Sequence, residues 1–217
     1  MLLQLIPSLK TYDHPEDDPD YREPSLEEGR RAYLLDAGVT DLDNTFDKMR
    51  VPPGFSDTLA AFKALAEGKG KPILMVYGPA GNGKSKCCEA LVIALYSRGI
   101  RARREKWSDI IRFTLKATFN RKHPEEGPSY EQAFRVLREK KYLIIDDIGM
   151  GSTGGNWEWG ELEDIVDYRL EHKLFTVLTT NLDIKDMPPR IISRLRDKSR
   201  CTLIHNKSAD QRPLGGK

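Results

Sequence analysis

The sequence has 217 residues, of which 39% are hydrophobic, and this is enough apolar content for one large domain with a buried core. The formal net charge of +2 hides an asymmetry, because residues 1–50 carry 12 acidic and 6 basic side chains, whereas residues 51–217 carry 21 acidic and 29 basic ones. The three cysteines exclude a fully paired disulfide framework, they lack the spacing of a metal site, and no apolar run approaches a membrane span, so we expect a cytoplasmic protein without a membrane partner.

The first 45 residues are predicted to form an acidic arm with one short helix, and residues 46–217 are predicted to form the main domain. Residues 1–6 are apolar except for Gln4, but this run is too short for a signal sequence and has no basic leader. Residues 11–24 are rich in Asp, Glu and Pro, which disfavour both helix and core. We therefore expect a flexible linker there.

Regular structure is predicted from residue 26 onward. The capping-box pattern of Ser25 and Glu28 predicts a helix over about 26–36, and apolar residues at helical spacing predict another over 55–66. Strands and helices then alternate, which predicts an α/β fold with a parallel sheet between helices. The predicted strands lie at 73–77, near 100–105, and at 142–145, 174–179 and 201–205, and the helices lie at 84–98, 109–119, 130–139, 157–172 and 189–196.

A complete GxxxxGK[ST] motif occupies residues 78–85, between a predicted strand and a predicted helix. Its glycines allow backbone N–H groups to point at a phosphate, and the following helix adds the positive end of its dipole. Lys84 would supply charge to the β- and γ-phosphates, and the Ser85 hydroxyl would bind Mg²⁺. A glycine turn that carries Lys-Ser by chance is the disfavoured alternative. The predicted nucleotide-binding residues are Gly78, Pro79, Ala80, Gly81, Asn82, Gly83, Lys84, Ser85 and Lys86.

Two carboxylates follow the apolar strand 142–145. In an open parallel sheet, ligands gather at the carboxyl ends of the strands, so Asp146 is predicted to reach the same crevice as the phosphate loop. Asp146 would hold Mg²⁺ together with Ser85, and Asp147 would orient or deprotonate the attacking water. Taken in isolation, two acids after a strand would indicate only a turn.

Polar and basic residues further along complete the predicted catalytic set. Asn181 follows the next strand, where its amide would lie near the γ-phosphate; a turn residue is the alternative. Arg190, Arg194 and Arg196 lie on a predicted helix, and an arginine from a neighbouring subunit can stabilise transferring phosphate charge. Without that context, solvated surface arginines would be the simpler interpretation.

The ordered motifs resemble the AAA+ superfamily, in particular its DnaC/IstB branch of bacterial and phage helicase loaders and transposition ATPases. This resemblance covers about residues 30–212 and implies a five-stranded AAA+ P-loop NTPase core, ATP and Mg²⁺ as ligands, and a homo-oligomer with shared ATP sites. The motifs that carry it are Gly-Pro-Ala-Gly-Asn-Gly-Lys-Ser, Ile-Ile-Asp-Asp-Ile-Gly, Thr-Thr-Asn and Ser-Arg-Leu, with Ala37-Gly38-Val39, Asn44-Thr45-Phe46-Asp47 and Asp167-Tyr168-Arg169 in support.

By position, the resemblance makes Asn181 the first sensor, Arg194 the arginine finger and Arg212 the second sensor, with Arg190 and Arg196 as rival fingers. The chain departs from the pattern at Asp147, where many AAA+ proteins have Glu, and the shorter side chain predicts slow hydrolysis. Few residues follow the last predicted strand, so we expect no C-terminal helical lid, and Arg212 would act from a short tail.

Basic and aromatic residues are interleaved after the second predicted strand, a pattern that fits single-stranded DNA, and in the resembled loaders this region faces the central channel. The basic main domain agrees with this interpretation. The alternative is that Trp107 and Phe119 pack in the core while the charges are solvated. The tract comprises Arg101, Arg103, Arg104, Lys106, Trp107, Arg112, Lys116, Phe119, Arg121 and Lys122.

The sequence therefore predicts an ATP-dependent AAA+ helicase loader in DNA replication, which assembles on single-stranded DNA and delivers a replicative helicase. Its ATPase activity is expected to be slow and stimulated by DNA. One alternative is an IstB-like transposition ATPase with a transposase as its partner. Another is a nucleotide-gated binding module with little hydrolysis, for which Asp147 is the motivating residue.

Overall fold

The computed structural model describes residues 23, 25–116, 128–149 and 156–212. The chain divides into two compact units, residues 1–33 and 34–217. Several predictions fall outside the described residues: the apolar start, most of the acidic linker, and Phe119, Arg121 and Lys122. The predicted domain boundary at residue 45 stays a prediction.

The first described helix, α1, spans Leu26–Asp36 as predicted. Its start is fixed by the expected capping box, in which Glu28 N donates to Ser25 Oγ at 3.2 Å and Ser25 N donates to Glu28 Oε2 at 2.9 Å. These bonds satisfy two backbone donors that a helix start leaves without partners.

The second unit contains a five-stranded parallel sheet, which confirms the predicted α/β class. The strands are arranged in the order β2-β3-β4-β1-β5, so the chain crosses over between neighbours, as it does in open α/β sheets. The strands are β1 (Ile73–Tyr77), β2 (Arg103–Lys106), β3 (Tyr142–Ile148), β4 (Phe175–Thr180) and β5 (Cys201–His205).

Helices cover the sheet, and both of its faces are buried. Ile73 and Met75 of β1 belong to a core cluster with residues of several helices, while the alternate residues Leu74 and Val76 are buried as well. Burial on both faces explains why the central strands are apolar runs rather than alternating patterns. The other α-helices of at least seven residues in the described part of the chain are α2 (Ser56–Ala66), α3 (Lys84–Tyr96), α4 (Tyr130–Glu139), α5 (Asn156–Glu171) and α6 (Pro189–Leu195), and short 3-10 helices lie at Phe46–Lys48 and Ile184–Asp186.

Two predicted elements differ from the observed ones. The helix expected over 109–119 is a single turn at Trp107–Asp109 that continues as a π-helix over Ile110–Lys116. Strand β3 extends to Ile148, so Asp146 and Asp147 lie inside the strand and not after it. The register between β3 and β4 shifts between Ile145 and Ile148, and within this irregularity Asp147 has a φ of 63°.

Two further observations concern the helices of the described residues. None of the helices in the described part of the chain has the length and apolar character needed to cross a bilayer. The described residues that follow β5, 206–212, contain no helix.

Candidate functional site

The phosphate-loop motif connects β1 to α3, as predicted, and its glycines adopt backbone conformations that other residues rarely take. Gly78 has φ 141° and Gly81 has φ 75°. A Cβ atom on Gly78 would lie 2.2 Å from Asn206 O, and one on Gly81 would lie 1.9 Å from Asp210 Oδ1. The loop therefore needs glycine both for its turn and for the close approach of the segment after β5.

Lys84 is buried at the centre of the loop. Its Nζ donates to Gly78 O at 2.7 Å, Pro79 O at 2.8 Å, Asn82 Oδ1 at 3.0 Å and Asn181 Oδ1 at 2.8 Å. Burial lowers the pKa of Lys84 to about 8, although the nearby carboxylates act in the opposite direction. The contact also brings together two residues, Lys84 and Asn181, that the sequence separates by nearly a hundred positions.

Asp146 and Ser85 come together at the start of α3. The Ser85 hydroxyl donates to Asp146 Oδ1 at 3.2 Å, and the Thr179 hydroxyl donates to the same oxygen. Asp146 is buried, whereas Ser85 is exposed to the crevice. A hydroxyl and a carboxylate oxygen beside a phosphate-binding loop are hard donors of the type that Mg²⁺ prefers, so the residues present fit this ion.

Asp147 and Asn181 form a second pair beside the first. Asn181 Nδ2 donates to Asp147 Oδ1 at 2.7 Å, while the other end of the same amide accepts from Lys84. Burial, and then the charge of Asp146, raise the pKa of Asp147. Asp147 has φ 63°, a left-handed conformation that Asp adopts more readily than longer side chains. Its backbone N–H donates to Thr179 Oγ1 at 3.0 Å, which fixes this conformation.

Arg104 lies at the site, although the sequence pattern did not predict this position. It was predicted to contact single-stranded DNA, but its side chain is only 8% exposed, and its Nε and Nη2 donate to Asp146 Oδ2 at 2.9 and 2.7 Å. The stacking role considered for Trp107 is also wrong, because Trp107 is 1% exposed and packs in the core. Arg101, Lys106 and Arg112 from the same tract are exposed.

A cavity of about 1090 Å³ lies beside the phosphate loop. It is large enough for a nucleotide, because pockets for small molecules typically measure about 300–1,000 Å³. Its lining includes loop residues 80–85, Lys86, Asp147 and Asn181, together with a wall from 41–55 that no sequence motif had indicated as part of the site. That wall presents apolar side chains suited to a base or a ring: Met49, Val51, Pro52 and Phe55.

The segment after β5 also reaches the phosphate loop. Asn82 and Asn206 exchange two side-chain to main-chain hydrogen bonds of 3.0 Å, and Gln211 N donates to Gly81 O at 2.9 Å. Arg212 lines the cavity and pairs with Asp210 through its Nε at 3.0 Å. The structure therefore brings Arg212 to the predicted site.

The arginines predicted as rival fingers lie on or just after α6. Arg194 pairs with Asp167 and, at 3.2 Å, with Glu163, both on α5. Arg190 is 81% exposed and lies 3.7 Å from Glu163 Oε1. Arg196 is exposed. Within one chain, Arg194 is thus part of a surface ion-pair cluster between two helices.

Comparison with known proteins identifies the fold. No protein-family model matches the sequence. A putative replication factor C small subunit, L478 of Acanthamoeba polyphaga mimivirus, is 24% identical over 148 residues, which are 68% of this chain and 35% of that protein. The chain therefore matches about a third of the length of this curated relative.

Solved structures are similar over most of the chain. The DnaC helicase loader has a TM-score of 0.59 at 20% identity, and the match covers 76% of this chain and 97% of that chain. DnaI has a TM-score of 0.60 at 17% identity, covering 79% and 92%. AMPPCP-bound DnaA from Aquifex aeolicus has a TM-score of 0.62 at 18% identity, covering 76% of this chain and 50% of that chain. The chain thus shares its fold with these three proteins.

Proposed function

We propose that this chain is an ATP-dependent AAA+ switch in DNA replication, which assembles on single-stranded DNA and helps to deliver a replicative helicase. One observation carries the proposal: Lys84, Ser85, Asp146, Asp147 and Asn181 converge at one edge of the sheet, beside a cavity of nucleotide size. The similarity to the DnaC helicase loader supports the choice of a helicase as partner.

The phosphate loop would bind the triphosphate through its backbone N–H groups and the start of α3. Lys84 would exchange its contacts with the loop carbonyls for phosphate oxygens, because its Nζ already lies within the loop. Ser85 Oγ and Asp146 Oδ1 would hold Mg²⁺. When bound, this ion neutralises the charge that develops on the phosphate oxygens.

Asp147 would accept a proton from the attacking water, and Asn181 would orient Asp147. The raised pKa of Asp147 makes its carboxylate a better proton acceptor than an ordinary aspartate, and the Asn181 amide fixes its orientation. Because that amide also accepts from Lys84, a shift of Lys84 toward a phosphate would release one end of Asn181. Binding of phosphate would therefore change the position of the Asp147 carboxylate, because Asn181 contacts both Lys84 and Asp147.

Self-assembly would complete the site with Arg194 of a neighbouring subunit, while Arg212 would contact the nucleotide within the same chain. Single-stranded DNA would meet the exposed side chains Arg101, Lys106 and Arg112. Release of Arg194 from its partners on α5 would accompany subunit docking, because those partners hold it within one chain.

The test is complementation of ATP hydrolysis in the presence of single-stranded DNA. Lys84→Ala and Arg194→Ala should each be inactive alone, and mixing them should restore turnover to about tenfold above either variant, because a mixed assembly contains sites with an intact loop and an intact finger. In a control mixture of Lys84→Ala with Arg200→Ala, every subunit keeps Arg194. This mixture should therefore have the same turnover as a mixture of Lys84→Ala with the wild-type protein. Failure of the first mixture to gain activity would contradict shared sites.

A second candidate function is a nucleotide-gated binding module with little hydrolysis. The observation that favours it is the short side chain of Asp147, whose left-handed φ of 63° suits Asp better than Glu. Prolonged incubation with ATP and DNA separates the two functions. Product well above the Lys84→Ala background excludes the module, and product at that background excludes the ATPase.

A further inference from the structure

Arg104 lies on β2 and places one buried guanidinium among groups from three different segments. Its Nε and Nη2 donate to Asp146 Oδ2, whereas its Nη1 donates to Gly38 O at 2.8 Å and to Glu89 Oε1 at 3.3 Å. The side chains of Asp146 and Glu89 are 1% and 7% exposed. Water therefore has little access to these charges, and the guanidinium neutralises both carboxylates directly.

The two oxygens of Asp146 have different partners. Oδ2 accepts from Arg104, and Oδ1 accepts from Ser85 and Thr179. Rotation of the carboxylate plane would break both sets of bonds, so Arg104, together with Thr179, fixes an orientation in which one oxygen, here Oδ1, is directed at Ser85. Ser85 and this oxygen are the pair proposed above as donors to Mg²⁺.

Arg104 also holds the chain segment that leads into the cavity wall. Its backbone N–H donates to Ala37 O at 2.9 Å, and a Cβ atom on Gly38, which has φ 86°, would lie 2.3 Å from Arg104 O. Glu89 Oε1, which contacts Arg104, also accepts from the Thr40 hydroxyl at 2.8 Å. The same guanidinium thus connects Asp146 to the residues immediately before the wall at 41–55.

We propose that Arg104 is a positioning residue for the metal–nucleotide site: it directs Asp146 Oδ1 toward Ser85 and couples this orientation to residues 37–40. The inference rests on the proposed function, because it requires Mg²⁺ at Ser85 and Asp146. Partners that orient a metal-ligating carboxylate typically change metal affinity by about 10- to 100-fold when they are altered. Arg104 is a partner of this kind, because it donates two hydrogen bonds to Asp146.

The test compares Arg104→Lys with Arg103→Lys. Both variants keep the charge and lie on the same strand, but Arg103 is half exposed and pairs with Asp36 at 2.8 Å. Binding of a fluorescent ATP analogue is measured in EDTA and over a Mg²⁺ titration. Arg104→Lys should keep its affinity in EDTA within about twofold and should need about tenfold more Mg²⁺ for half of the metal-dependent gain. Arg103→Lys should match wild type in both.

An Asp146→Asn background checks that the effect acts through this carboxylate. There, adding Arg104→Lys should leave the Mg²⁺ dependence unchanged, because its orienting target is already altered. Equal Mg²⁺ requirements for Arg104→Lys and Arg103→Lys would overturn the inference, as would a loss of affinity confined to EDTA. Failure of the wild-type protein to bind the analogue at all would instead contradict the proposed function.

If Arg104→Lys does not fold, NMR spectroscopy of the wild-type protein tests the inference instead. The Nε–H signal of Arg104 should shift when Mg²⁺ is added to the nucleotide complex, while the corresponding signal of Arg103 should stay in place. A shift of Arg104 alone supports the inference. Identical behaviour of the two signals overturns it.

Discussion

Two buried arginines lie at opposite edges of the same sheet, and their partners differ. At the edge where the strands end, Arg104 contacts the carboxylates of Asp146 and Glu89. At the edge where the strands begin, Arg169 of α5 is 0% exposed, and its partners are the Thr176 hydroxyl and three main-chain carbonyls, those of Arg138, Lys140 and Phe175.

The pKa values of the two guanidiniums reflect this difference. Burial lowers the pKa of Arg169 to about 10. Burial acts in the same direction on Arg104 and is the largest single effect, but the charge and hydrogen bonds of Asp146, together with the charge of Glu89, raise the pKa of Arg104 overall. Arg169 therefore connects the backbone at the start of β4 to the backbone before β3. Its role is structural. Arg104 holds the Asp146 carboxylate, which we propose as a ligand of Mg²⁺, so substitution of Arg104 should change nucleotide and metal binding.

The largest expected effect is on stability, from Arg169→Met. Three partly buried carbonyls and the Thr176 hydroxyl lose their donor, so the free energy of unfolding should fall by about 3 kcal/mol or more. Urea denaturation measures the change. Arg135→Met on the exposed surface of α4 is the matched control, with a change of about 0.5 kcal/mol at most. A loss below about 1 kcal/mol for Arg169→Met, or an altered Mg²⁺ dependence of the folded variant, would remove the contrast between the two arginines.

The next effect is on hydrolysis, from Asp147→Asn. Asparagine tolerates the left-handed backbone but cannot accept the proton of the water, so turnover should fall by about 100-fold or more while nucleotide affinity stays within about threefold. Steady-state phosphate release and equilibrium binding measure the two quantities. Asp164→Asn, an exposed position on α5, serves as control. Retained turnover would mean that a different group orients the water.

The smallest effect is on the pH dependence of binding. Because the pKa of Lys84 is about 8 in the nucleotide-free protein, its ammonium loses its proton as the pH rises through 8. Phosphate favours the charged form, so affinity should fall between about pH 7 and pH 9, and binding near pH 8 should take up a proton. Calorimetry in two buffers of different ionisation enthalpy detects the uptake. Lys84→Arg should bind without it.

The same shift has a consequence for the stability of the nucleotide-free protein. The folded pKa of Lys84 lies below the ordinary value of 10.5, so the unfolded chain binds more protons between about pH 8 and pH 10.5. The contribution of Lys84 to the free energy of unfolding therefore rises with pH in that window. A Lys84→Met variant should lack this rise, and a rise of equal size in both proteins would contradict the assignment.

The sequence predicts the phosphate loop well because the required information is local. Glycines, Lys84 and Ser85 occupy fixed spacings, and the flanking strand and helix are visible as patterns of apolar residues. Arg104 could not be assigned in this way. Whether one face of β2 is buried depends on residues 37–40 and on α3, which are distant in the sequence, so a buried arginine there has the same local pattern as a solvated one.

The placement of the two carboxylates has a similar explanation. An apolar run followed by two acids predicts a strand end, but hydroxyls on the neighbouring strand supply partners that let β3 continue to Ile148. Thr179 donates to Asp146, and Thr180 Oγ1 donates to Ile148 O at 2.7 Å. Such partners depend on the register between β3 and β4, which the sequence of either strand does not contain.

The proposed function requires that the phosphate loop and Asp146 form one site for a triphosphate and its metal. Isothermal titration calorimetry with ATP and Mg²⁺ tests it most directly, with Lys84→Ala and the exposed-site variant Lys185→Ala titrated in parallel. Wild type and Lys185→Ala should bind one ATP per chain, and Lys84→Ala should lose affinity by about 100-fold or more. Absence of binding to the folded wild-type protein, or equal binding by Lys84→Ala, would contradict the account.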